Sequence, residues 1–257
     1  MSTVRYEVRD NVAEILLDNP PVNALDDAVM DELLAALERA RNDKTARAVI
    51  LGTAIPKRFC AGLKLDAFRT GSSAEGRKLI DKIYVRLVDA QFNLGKPSVA
   101  AVTGAARGAG MTLAISCDLI VAADTATFGY PEIDVGLVPA IHFTHLPRIV
   151  GRYRAFELLF TGRTFDAQEA QSLGLVNRVA PADTELDEAR TLARILAAKS
   201  PELMRIGKTA FMNAIDSDYR RGVAGAVELV CAVSSTEAFR EGMAAFVEKR
   251  KPVWKDD

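Results

Sequence analysis

Apolar and polar residues alternate from the start of the chain. Val4, Tyr6 and Val8 are separated by Arg5 and Glu7, and a second extended run follows at Val12-Ala13-Glu14-Ile15-Leu16-Leu17. This period of two predicts two strands within residues 3–18, with Asp10-Asn11 turning between them. Asn19-Pro20-Pro21 ends the pattern. From Asp26 the period lengthens, and Val29, Leu33, Leu34 and Leu37 fall on one helical face. Three short apolar runs, Ala48 to Gly52, Ser98 to Val102 and Leu119 to Ala123, read as strands buried on both faces. Helical segments are expected at roughly 74–94 and 109–116. Beyond residue 140 the pattern is almost wholly helical, with segments at 155–160, 167–173, 184–199, 201–212, 218–232 and 236–247, and Gly174 caps the second of these. The fold class is therefore α/β, with a helical tail from about Ser200-Pro201 and no linker long enough to separate independent domains.

Composition narrows the partners. A formal net charge of -1 over 257 residues offers no global field for nucleic acid. Cys60, Cys117 and Cys231 are odd in number and widely spaced, so neither a disulfide framework nor a thiolate zinc site is expected. The charged N-terminus lacks the apolar stretch of a signal peptide, and the apolar run 109–123 is broken by Asp118 and too short for a bilayer. A soluble cytoplasmic protein without membrane partners is expected.

Two loops invite chemistry. Phe59-Cys60-Ala61-Gly62-Leu63-Lys64-Leu65 follows the strand at 48–52, and Thr103-Gly104-Ala105-Ala106-Arg107-Gly108-Ala109-Gly110-Met111 follows the strand at 98–102. The second opens a helix, whose first main-chain N–H groups lack partners and sit at a positive dipole end. Two such turns brought together supply the paired N–H donors that an oxyanion requires; apart, they are ordinary strand-to-helix connections. The glycine spacing does not fit a dinucleotide loop or a P-loop. Glu132, in Phe128-Gly129-Tyr130-Pro131-Glu132, gains acid/base character if its aromatic neighbours desolvate it, and is otherwise a surface glutamate. His142 and His145 share a helical face at i, i+3, but no third ligand accompanies them, so a lining or buried role is favoured over metal.

These segments together resemble the crotonase (enoyl-CoA hydratase/isomerase) family. The pieces are Asn23-Ala24-Leu25, Phe59 to Gly62, Pro97 to Gly104, Cys117-Asp118-Leu119, Phe128 to Glu132, Leu173 to Val176 and Glu241 to Arg250, and their order covers nearly the whole chain. The resemblance implies a spiral of ββα units over residues 1–200 that binds acyl-CoA and carries catalysis. It also implies a C-terminal helical trimerisation region over 201–257, assembled as a homo-trimer or homo-hexamer. The oxyanion donors fall on the amides of Leu63 and Ala109, within turns formed by Gly62, Lys64, Gly108 and Gly110. Adenine would lie along Ala61 and Leu63, CoA phosphates near Lys57, Arg58 and Lys249, and Phe246 against the nucleotide. CoA enters as part of the substrate, and no further cofactor is implied.

Two positions depart from the family pattern. Hydratases of this family carry two glutamates; Glu132 matches the second, but Thr112 occupies the first, and a hydroxyl is too weak an acid to exchange protons near neutral pH. A glycine-rich turn is replaced by Pro139-Ala140-Ile141-His142-Phe143, whose bulk narrows the acyl pocket beside Tyr130. Both departures resemble one-glutamate isomerases and favour double-bond migration. Hydration by Glu132 with a water placed by Thr112 and His142 is the alternative, and an acyl-CoA-binding protein without catalysis is a third reading.

Overall fold

The computed structural model describes residues 2–65, 73–215 and 219–253. The first predicted hairpin forms as β1 (Val4–Arg9) and β2 (Val12–Leu17), joined by Asp10 and Asn11, both at positive φ. Asp26 accepts a hydrogen bond from the Val29 amide and so caps α1 (Asp27–Asn42). The three apolar runs are β3 (Ala48–Thr53), β5 (Ser98–Val102) and β7 (Leu119–Ala123). With β10 (Arg178–Ala180) they complete a six-stranded sheet of order β1-β2-β3-β5-β7-β10, parallel except for its first pair.

Both faces of this sheet are covered, which is why its strands read as unbroken apolar runs. On one face, Ile50, Val99, Ala101 and Val121 pack against Ala189, Leu192 and Ala193 of α8 (Glu185–Ala197). That helix is also tied down by a two-pronged pair between Arg190 and the buried Glu14, at 2.7 and 2.8 Å. The opposite face, with Val49, Leu51, Ala100 and Val102, belongs to the main core.

A second sheet is new relative to the sequence expectations. It runs β4 (Arg58–Cys60), β6 (Ala105–Arg107), β8 (Thr127–Gly129) and β9 (Phe165–Asp166). Segments of two or three residues are too short to display a period of two, so the chemistry-bearing loops looked structureless. For the same reason β9 and β10 interrupt a stretch expected to be nearly all helical. The segment expected at 74–94 contains α2 (Ser73–Asp81), a π-helical turn over Lys82–Arg86 and α3 (Leu87–Phe92). Then come α4 (Ala109–Ser116), a 3-10 turn over Pro131–Val135, α5 (Ala140–Val150), α6 (Arg152–Thr161) and α7 (Ala167–Ser172), after which Gly174 takes positive φ.

The tail is α9 (Pro201–Ile215), α10 (Tyr219–Val233) and α11 (Glu237–Glu248). Residue 218, where a helix was expected to begin, and residues 254–257 of the expected C-terminal region lie outside the described residues. Among the described residues no helix is long and apolar enough to cross a membrane. One buried ion pair fastens α9 to the main sheet: Lys208 Nζ lies 2.7 Å from Asp118 Oδ2 and donates to the Lys96 carbonyl, while the Ser98 amide donates to the same carboxylate oxygen. Replacing Lys208 by Ala leaves Asp118 enclosed without its cation, and we expect a loss of about 3 kcal/mol in urea-denaturation stability.

Candidate active site

The first glycine turn is held from outside by Asn23-Ala24-Leu25. The Leu25 amide donates to the Gly62 carbonyl and the Leu25 carbonyl accepts from the Lys64 amide, each at 2.8 Å. Asn23 is fully buried; its Nδ2 donates to Phe59 O and Thr53 Oγ1, and its carbonyl accepts from Cys60 Sγ. The residues on either side of Leu63 are thereby bonded, while its own amide is left over. The second turn enters α4 through Gly108, whose amide donates to Gly129 O at 3.1 Å. Ala109 is the first residue of that helix and has no carbonyl one turn back to accept its N–H. Among the described residues neither the Leu63 nor the Ala109 amide donates a hydrogen bond.

The two turns touch. β4 and β6 pair in parallel, and a Cβ placed on Gly62 would lie 2.7 Å from Arg107 O and 3.4 Å from Ala109 N. With φ of +96°, Gly62 also adopts a conformation that side-chain-bearing residues avoid. Glycine at 62 is therefore what lets one free amide approach the other. Gly110 lies just behind, over Cys60.

Glu132 is brought to this point by the 3-10 turn, and a Cβ on Gly108 would meet its Oε1 at 3.0 Å. The residue as a whole is only half-buried, but Oε2 is closed off from solvent and has no hydrogen-bond partner. Burial raises its carboxyl pKa to about 7, against a hydrogen bond from its own main-chain amide. Its neighbours are buried too. Tyr130 Oη has no partner, and its ring lies 4.5 Å from that of His142, centroid to centroid. Burial, and then the Glu132 carboxylate, raise the pKa of Tyr130.

His142 and Thr112 are also enclosed, with His142 Nε2 3.3 Å from Thr112 Oγ1. Burial, reinforced by His145, pushes His142 well below the ordinary imidazole value, so its ring is neutral at neutral pH. His145 points elsewhere, lining an apolar groove with Ile149, Phe211 and Ile215. Among the described residues no cluster of three or more metal-ligating side chains occurs.

Tyr84, on the π-helical turn, was missed in the sequence. It is buried, and its pKa is raised first by burial and then by the Glu132 carboxylate. A single aromatic among the aliphatic and charged residues of Lys82–Arg86 was the available signal, and π turns are often placed at functional sites.

The remaining expected contacts are spread out. Lys64 pairs with Asp26 at 3.7 Å, and Ala61 is exposed. Lys57 and Arg58 border a polar cleft of about 400 Å³ with Thr103, Thr125, Thr127 and Asp183. Phe143 stacks on Phe160. Phe246 and Lys249 sit at the end of α11, whose Gly242 packs on the Glu132 turn at Val135. No hydrogen bond or ion pair among the described residues links them to Lys57 or Arg58.

The family model for enoyl-CoA hydratase/isomerase matches residues 7–257. The chain belongs to that family. It is 37% identical over 260 residues to a probable enoyl-CoA hydratase of Mycobacterium tuberculosis, covering 97% of this chain and 96% of the relative. It is 33% identical to a short-chain-enoyl-CoA hydratase of Clostridium acetobutylicum, with 98% and 97% covered. The crystal structure of an enoyl-CoA hydratase/isomerase from Pseudoalteromonas atlantica superposes with a TM-score of 0.88 at 30% identity, covering 99% of this chain and all of that one. A Mycobacterium avium enoyl-CoA hydratase structure gives 0.87 at 26% identity, with 99% of each covered. The fold and the family are thus those that the ordered motifs implied.

In this enoyl-CoA hydratase/isomerase family member, the raised Glu132 pKa has a consequence for stability. The folded protein holds a proton at Glu132 between the ordinary carboxyl value of 4.5 and about 7, where the unfolded chain has released it. Stability therefore falls as pH rises through that window. Glu132→Gln removes the dependence, so denaturation midpoints of variant and parent should diverge in the variant's favour from pH 4.5 to 7 and run parallel above it.

Proposed function

We propose that this enzyme adds water reversibly across the 2,3 double bond of an acyl-CoA thioester, using Glu132 as its one acid/base. The observation that carries this reading is a carboxyl group poised near neutrality against the second of two touching turns, each of which bears one unpaired main-chain amide. The thioester oxygen accepts from the Leu63 and Ala109 amides. As a water oxygen bonds to C3, the C2–C3 π electrons shift toward the thioester oxygen and the amides stabilise the enolate; each donor of this kind is worth roughly 100-fold to 1000-fold in rate. The water's proton passes to Glu132 and from there to C2, so the carboxylate is regenerated. A carboxyl pKa near 7 suits both halves of that cycle.

Hydration is preferred to double-bond migration for two reasons. Polar atoms of Thr112, His142 and Tyr130 lie around the Gly108 turn that backs Glu132, and the relatives above carry hydratase names. Migration of the double bond between C3 and C2 is the second reading, supported by Thr112 in place of a second carboxylate. The cleft beside Lys57 and Arg58 suits CoA phosphates, with Phe246 and Lys249 contributing near the nucleotide. A cytoplasmic homo-trimer or homo-hexamer, joined through residues 201–257, accords with the exposed Leu203, Ile206, Phe211 and Ile215 on α9. Analytical ultracentrifugation should then give a mass of three or six chains.

Supplied separately with 2-enoyl-CoA and 3-enoyl-CoA, the enzyme should convert the first to 3-hydroxyacyl-CoA. Accumulation of 2-enoyl-CoA from the second, without hydration of the first, would instead establish isomerisation. Glu132→Gln should cut turnover roughly 100-fold to 10,000-fold while leaving acyl-CoA binding intact, and full activity in that variant would remove Glu132 from the mechanism.

A further inference from the structure

Seven side-chain atoms among the described residues are buried without a hydrogen-bond partner, and three of them belong to one neighbourhood: Glu132 Oε2, Tyr130 Oη and His142 Nδ1. Buried polar atoms are nearly always bonded, so a group of unpaired ones marks a place built for something that arrives. Gly108 borders two of these residues. It backs the Glu132 carboxylate, its carbonyl accepts from the Thr112 amide at 3.3 Å, and the same carbonyl faces a ring N–H of His142. Tyr130 closes the arrangement through its ring contact with His142.

We infer that His142, oriented by Thr112, holds the reacting water, so that the pair takes over the placing role of the carboxylate missing at position 112. This deepens the hydration reading and rests on it. Thr112 lies within hydrogen-bond distance of Nε2 and so fixes the imidazole plane. A neutral imidazole uses one nitrogen as donor and the other as acceptor. Whichever role Nε2 plays toward Thr112, Nδ1 is left with the opposite one, and either role suits a water, which both donates and accepts.

His142 takes no proton in this scheme. The water's proton goes to Glu132, its oxygen bonds to C3, and Glu132 returns the proton to C2, so atoms and charge balance. Thr112 acts through His142 and is a positioning residue. A purely structural role for the histidine accounts less well for the arrangement, because a packing residue would gain nothing from a buried nitrogen left unpaired.

Two reactions separate placing the water from forming the enolate. Hydration of 2-butenoyl-CoA and 2-hexenoyl-CoA needs both. Exchange of the C2 protons of butanoyl-CoA in deuterium oxide needs only Glu132 and the two amides. We expect His142→Ala and Thr112→Val to lower kcat for hydration roughly 100-fold, with KM and C2 exchange within about threefold of the parent. Thr112→Ser, which keeps the hydroxyl, should restore hydration. The near-isosteric Thr112→Val, with an unchanged thermal midpoint, keeps the test valid if His142→Ala fails to fold.

Hydration by Thr112→Val at the parent rate overturns the inference, as does parallel loss of hydration and exchange in a folded variant, or failure of Thr112→Ser to recover. A parent that exchanges C2 protons but does not hydrate overturns it while leaving the Glu132 and oxyanion roles in place. A parent that does neither removes both readings.

Discussion

Everything at this site depends on two main-chain amides being left without partners next to each other. An unpaired N–H is costly wherever water cannot reach it, so a chain ordinarily spends such groups on its own carbonyls. Here the geometry prevents that. Leu25 bonds the residues before and after Leu63 and skips Leu63 itself, and Ala109 is the first residue of a helix with no carbonyl behind it. Asn23, buried and bonded on several sides, fixes the strand and residues that lead into the first turn. The donors are thus aligned in advance, which is what the proposed oxyanion role requires.

The carboxylate obeys the opposite logic. Glu132 Oε2 is kept from solvent by the turn it sits on and by Gly108, and among the described residues no cation pairs with the carboxylate, whose one donor is its own main-chain amide. Burial therefore dominates, and the acid strength falls to where a proton is both taken and released near neutral pH. Burial likewise makes His142 neutral, since a charged imidazole would be enclosed without a counter-ion. One enclosure, closed to solvent, sets both protonation states.

Much of this was legible in the residues. The hairpin, the capped first helix and the three buried strands follow from period and capping and lie where expected. The Asn23-Ala24-Leu25 segment was readable only as part of an ordered set of motifs, and its mechanical role emerges from the bonds it makes across 36 or 37 residues of chain. The second sheet was hidden because its strands are two or three residues long. Tyr84 was hidden because a π turn shares the composition of the α-helix around it.

The sequence by itself determined the longer helices and strands, the family to which the order of motifs belongs, and the residue types available for chemistry: one glutamate, a threonine where a second was expected, and two glycine turns. These are local properties, decided by the period of apolar side chains and the backbone freedom of particular residues. Only the tertiary structure decided that the turns meet, that the amides between them stay free, that His142 meets Thr112 and Tyr130, and that Glu132 backs onto the Gly108 turn. Protonation and hydrogen-bond satisfaction depend on what surrounds an atom in space, and those surroundings are assembled from segments far apart along the chain.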